Sequence, residues 1–209
     1  MLKVFFLVFE PAVAWENISK AKRGYAFIVG TYLLPMVLLV CAVEGWGLHT
    51  QGKWQPTLKR VRDFTDTTVL HYEILQAVLF ILMIVIAAVV LHVSAQNFHG
   101  KRTMLQTFTT VAYGCSPLLL LHTLNYWAVM HPAVPWAIGI LLTMWILYQG
   151  VPRVMAPDPT HAFGAYLSAL FIVLLMSAIV RLLTAMFILG QFNFKRSALT
   201  RALGEWLGQ

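Results

Sequence analysis

The chain has 209 residues, of which 59% are hydrophobic and 11% charged, with fifteen Lys and Arg against eight Asp and Glu for a net charge of +7. A charged share so far below the roughly 25% usual in soluble domains excludes a water-soluble globule. The apolar residues gather in runs of about 20, the length that crosses a hydrocarbon core, and the loops between them are too short for a second domain. The expected fold is an all-α integral membrane protein: a single domain over 1–209, with a bundle of five transmembrane helices and an N-terminal interfacial helix.

In a soluble protein this much positive charge would point to nucleic acid. Here no Lys/Arg cluster interleaved with exposed aromatics lies outside the apolar runs, and basic residues at the ends of spans meet anionic headgroups. Membrane lipids are therefore the expected contacts, with other membrane proteins or a second copy of the chain as further partners, and nucleic acid is not. Cys41 and Cys115 both fall in apolar segments, where a thiol acts as a small hydrophobe.

The chain opens with Lys3 and the apolar stretch from Val4 to Phe9, and Ala12-Val13-Ala14 has the form of a cleavage site. The stretch ends at Glu10 and Pro11, short of the roughly 7–15 apolar residues of a signal peptide. Pro11 suits the first turn of a helix, after which Ala14, Trp15 and Ile18 share one face and Glu16, Asn17 and Lys20 the other. The expectation is an interfacial helix over about 4–20 lying on the membrane, anchored by Pro11 and by Trp15 at headgroup depth.

Span 1 is expected over about 25–43, after Lys20, Lys22, Arg23 and Gly24, with a kink at Pro35. The long connection from Glu44 to Tyr72 contains Leu58, Val61 and Phe64 at helical spacing beside charged residues, which predicts a short surface helix. Span 2 follows over about 74–93 with Glu73 at its positive N-terminal end. Span 3 covers about 104–129 and span 4 about 134–150; Pro132 and Pro135 make the turn between them tight and the two spans antiparallel neighbours. Pro152, Pro157 and Pro159 break the next connection, and span 5 runs over about 162–190, long enough to require tilt or protrusion.

Basic residues divide evenly between the two sides, so position decides orientation. Lys20, Lys22 and Arg23 abut span 1, whereas the loop charges after it lie away from both neighbouring spans, which places the N-terminus inside and the C-terminus outside.

The sequence lacks the parts of a known intramembrane enzyme. It has no H-E-x-x-H, no Gly-rich phosphate loop and no aspartate within the five spans, and its histidines are scattered without ligand spacing. No catalytic, cofactor-binding or metal-binding residues are expected. Gly114-Cys115-Ser116 has no exposed turn to present a nucleophile, and His122 points away from it. Span 3 nevertheless carries Gln106, Thr109, Tyr113 and Ser116 at i, i+3, i+7 and i+10, a polar stripe beside Pro117. Two readings stand: interhelical hydrogen bonds, or a polar path for a small transporter or lipid-handling protein. Arg181 interrupts the apolar run of span 5, and either snorkels to the outer interface or pairs within the bundle.

The order of features resembles the Yip family, five-span proteins first known as Ypt/Rab GTPase interactors. The resemblance rests on Phe9-Glu10-Pro11 followed by Ala14-Trp15 and Ile18, on Gly100 entering span 3, on Ala112-Tyr113-Gly114-Cys115-Ser116-Pro117, and on Trp145, Tyr148 and Gly150 closing span 4. It implies a helical bundle with a cytoplasmic N-terminus, no catalytic residues, and a role in membrane organisation or protein recruitment. The long N-terminal region of eukaryotic members, with its Asp-Leu-Tyr-Gly-Pro element, has no counterpart here. Rab-type GTPase binding is therefore not carried over, and the short form resembles the family's bacterial, inner-membrane members.

Overall fold

The computed structural model describes residues 2–55, 60–62, 64–96, 103–155 and 161–189. Leu58, Gly100, Pro157, Pro159 and the basic residues of the C-terminal segment, Lys195, Arg196 and Arg201, lie outside the described residues. Five helices are long and apolar enough to cross a membrane: span 1 (Tyr25–Gln51), span 2 (Asp66–Ser94), span 3 (Met104–Tyr126), span 4 (Ala133–Met155) and span 5 (Ala162–Ile188).

Two short helices precede them, α1 (Leu2–Phe9) and α2 (Pro11–Lys20). Glu10 separates the two, and Pro11 opens α2, where a missing N–H leaves no helical bond unmade. The polar face divides as its periodicity requires: Glu16 and Lys20 are exposed and paired at 2.7 Å, while Pro11, Trp15 and Ile18 are buried. What that apolar face covers differs from expectation. It lies on protein, because α1 packs against spans 3 and 4 and α2 against span 4.

Four boundaries also differ: span 3 ends at Tyr126, short of residue 129, and span 4 continues past Gly150 to Met155 through a π-helical turn that accommodates Pro152. Span 1 continues past Val43 to Gln51, and the helix containing span 2 starts at Asp66, so Glu44 and Glu73 stand about two turns inside their helices. The expected surface helix over Leu58, Val61 and Phe64 is absent among the described residues. In its place β1 (Lys53–Gln55) pairs antiparallel with β2 (Arg60–Arg62), with Lys53 opposite Arg62. The helical spacing of the apolar residues was outweighed by Gly52, which adopts φ 65° and ends span 1 in a conformation that glycine alone adopts without penalty.

Proline shapes the interiors of spans 1 and 3. The turn before Pro35 is π-helical over Val29–Leu33, which relieves the clash of a proline ring with the preceding turn. That turn carries Tyr32, whose side chain is buried. In span 3 the α-helix stops at Gly114, resumes over Ser116–Leu121 and tightens to a 3-10 turn over His122–Tyr126. Pro117 has no N–H to offer the carbonyl of Tyr113, and Ser116 Oγ donates to that carbonyl instead at 2.5 Å.

Span 3 is the centre of the bundle. Buried residues make up 72% of its most apolar window, against 22% for span 5. It packs on spans 1, 2 and 4, while span 5 closes the outside against spans 2 and 4. Spans 3 and 4 are neighbours, as the short turn between them dictates.

Candidate functional site

The stripe on span 3 does not form one continuous surface. Gln106 is taken up by the helix start, where its side chain accepts from Thr103 N at 3.0 Å and its backbone N donates to Thr103 Oγ1, a capping box. Thr109 Oγ1 donates back to Leu105 O at 2.6 Å. Ser116 spends its hydrogen on Tyr113 O, so Tyr32 donates its phenolic hydrogen to Ser116 Oγ across the span 1–span 3 interface. The ring of Tyr113 stacks on Tyr32 at 4.2 Å and meets Trp15 edge-on at 6.4 Å, and its hydroxyl is buried without a hydrogen bond. At its Tyr113–Ser116 end the stripe is thus a sealed aromatic seam.

Trp15 belongs to that seam. Its side chain has no exposed surface, its indole N–H donates to Ile146 O of span 4 at 2.9 Å, and its ring lies against Gly150. The expected anchor at headgroup depth is an inserted plug, because the absence of a side chain at Gly150 opens a slot that the indole fills. The Arg181 guanidinium lies over the Trp136 ring, 5.2 Å from the centroid, near the end of span 4 that follows the tight turn.

A second polar cluster, unforeseen in the sequence, joins spans 1, 2 and 3. Glu44 of span 1 is 3% exposed, although it lies inside a membrane-spanning helix. Tyr72 Oη donates to its Oε1 at 3.1 Å and Gln76 Nε2 to its Oε2 at 2.7 Å, both from span 2. His122 Nδ1 of span 3 stands 3.8 Å from Oε2 and 3.2 Å from Asn125 Nδ2. Lys53 closes the cluster from the hairpin, donating to Asn125 O at 3.0 Å. Burial of its ammonium lowers its pKa below the usual lysine range, and the negative charge of Glu44 partly offsets this. Glycine sets the spacing: a Cβ on Gly47 would fall 2.6 Å from the backbone oxygen of Tyr126.

The cluster holds one negative charge within a ring of donors and two cationic or cationisable groups. Such an arrangement fixes helices to one another inside a bilayer, where an unpaired charge is costly. Beside it, the second carboxylate, Glu73, has both oxygens buried and without a hydrogen bond. Among the described residues no group of three or more His, Cys, Asp or Glu is arranged to hold a metal ion. The signal that could have revealed the cluster was present: Glu44, Tyr72, Glu73 and Gln76 flank apolar runs directly, at i, i+1 and i+4 in span 2. Reading Glu44 as the first loop residue hid it.

Five apolar spans, with span 3 buried among the others, define a multi-pass integral membrane protein. A family model described as the Yip1 domain matches residues 5–197, and the chain belongs to that family. No curated protein and no solved structure matches it significantly.

Proposed function

We propose that this member of the Yip1 family is a non-enzymatic scaffold, membrane organiser or assembly partner of a bacterial inner membrane, with its N-terminus cytoplasmic and its C-terminus outside. The observation that carries the reading is the closed seam on span 3. A transport path requires polar groups that face a shared space, whereas Gln106, Thr109 and Ser116 are each committed to neighbours in the protein and Tyr113 is packed between two aromatic rings. A rigid helical core with lipid-facing outer surfaces serves assembly.

The test is the pair Tyr113→Phe and Ser116→Ala, which preserves most of the volume. Tyr113→Phe removes a hydroxyl that makes no bond, so its stability should stay within about 0.5 kcal/mol of the parent. Ser116→Ala orphans the Tyr32 hydroxyl and the Tyr113 carbonyl and should cost about 1–2 kcal/mol. Co-purifying proteins and lipids, identified after purification in mild detergent, should be the same for the double variant as for the parent. Altered lipid occupancy or solute flux with unchanged stability would restore the path reading.

A further inference from the structure

Between spans 1 and 2 lies a cleft of about 390 Å³ whose rims are Leu38 and Trp46 on one helix and Leu70 on the other. These three side chains are among the exposed large hydrophobics, so the cleft opens sideways toward lipid. Glu73 forms part of its wall, and His49 and Asp66, paired at 2.9 Å, stand at its end. The carboxylate of Glu73 is turned inward beside Gly45, where the missing side chain leaves it room: a Cβ on Gly45 would stand 3.0 Å from its Cγ. Both oxygens lack a hydrogen bond there. The cationic groups of the neighbouring cluster are engaged elsewhere, Lys53 with Asn125 and His122 toward Glu44. An ionised carboxylate so placed has no counter-charge, and the donor beside it is the weak thiol of Cys41, which lines the same cleft.

Depth identifies what meets it there. The helix that contains span 2 has 31 residues. At 1.5 Å each it is about 46 Å long, and centred on a hydrocarbon core of about 30 Å it overshoots by about 8 Å at each end. Glu73 is about 10 Å from the helix start by the same rise, so it stands just inside the hydrocarbon boundary, with Asp66 and His49 in the headgroup layer. The group that satisfies two carboxylate oxygens at that level, on a molecule that enters from the lipid side, is a cation with N–H donors.

We propose that the cleft between spans 1 and 2 binds the primary ammonium headgroup of an amine-bearing lipid, with Glu73 as its counter-charge and acceptor. The apolar rims receive the upper acyl chain, and the ammonium donates to the carboxylate. A choline headgroup carries the same charge but no N–H, and a glycerol headgroup carries no cation, so the site ranks the three lipids in that order. This inference does not depend on the scaffold reading, because it concerns a different surface from the seam on span 3.

The test is native mass spectrometry of the full chain titrated with phosphatidylethanolamine, phosphatidylcholine and phosphatidylglycerol of identical acyl chains. Retention of the ethanolamine lipid should exceed that of the glycerol lipid by about tenfold, the size of one charge-assisted contact, with the choline lipid between. Glu73→Gln keeps the volume and should erase the ranking; Gly45→Ala crowds the carboxylate out of its inward position and should strengthen ethanolamine-lipid retention. Thermal melts of both variants establish that they are folded. Equal retention of the three lipids, a ranking that survives Glu73→Gln, weaker retention in Gly45→Ala, or full displacement of the lipid by millimolar free ethanolamine would each overturn the proposal, the last by making the site one for a soluble amine.

Discussion

Truncating Trp15 separates an inserted plug from a surface anchor by several kcal/mol. The side chain is wholly buried, bonded through its indole N–H to Ile146 O, and seated on Gly150 and Tyr113. Removing a buried Trp side chain costs about 3–5 kcal/mol in soluble proteins through lost contacts and the cavity left behind. In a bilayer the displaced N-terminal helix finds lipid instead of water, so the lower end, about 3 kcal/mol, applies to Trp15→Ala. Trp15→Phe keeps a ring but loses the N–H, and should cost about 1–2 kcal/mol. The partner substitution is Gly150→Ala, whose new Cβ would lie 2.8 Å from the indole nitrogen and 2.6 Å from Cζ2. Alone it should cost about 1–3 kcal/mol, as overpacking does. In a Trp15→Ala background the same methyl enters the vacated slot, so the two changes should couple by at least about 1 kcal/mol. The assay is a double-mutant cycle by reversible unfolding in detergent, read at constant detergent concentration. Additive effects, or a Trp15→Ala cost below about 1 kcal/mol, would refute the buried placement and return Trp15 to the interface.

Three further outcomes follow from the geometry. Glu44→Leu strands the Tyr72 hydroxyl and the Gln76 amide inside the bundle and should cost about 2–4 kcal/mol; Glu44→Gln, which retains one acceptor, should cost about half as much, and equal costs would show that charge and not hydrogen bonding governs the site. Gly47→Ala drives a methyl against the Tyr126 backbone and should lower stability by about 1–3 kcal/mol, whereas Gly30→Ala meets nothing within 4 Å and should be neutral or stabilising, both read from thermal unfolding. Reporter fusions inserted ahead of Tyr25 and after Ile188 should report opposite sides of the membrane, since five spans lie between them; matching signals would sink the span count.

Composition and run length alone determined the class and the number of spans, because a bilayer leaves the backbone few solutions and each requires about 20 apolar residues in succession. The local chemistry of Pro11 and the division of α2 into a buried and an exposed face were equally legible, since helix periodicity is a property of the segment itself. The polar stripe of span 3 was visible too, but not its fate, because a face's periodicity says that Tyr113 and Ser116 point inward and leaves open whether they meet space or Tyr32. The partner of the α2 face was decided elsewhere in the chain, by Gly150, 135 residues beyond Trp15. The Glu44 cluster was legible least. Its carboxylate is tolerable inside a span only because Tyr72, Gln76, His122 and Lys53 arrive from three other segments. Read singly, a glutamate after an apolar run marks the end of a helix. Desolvation of a charge is settled by the groups that surround it in space, which the tertiary structure alone brings together.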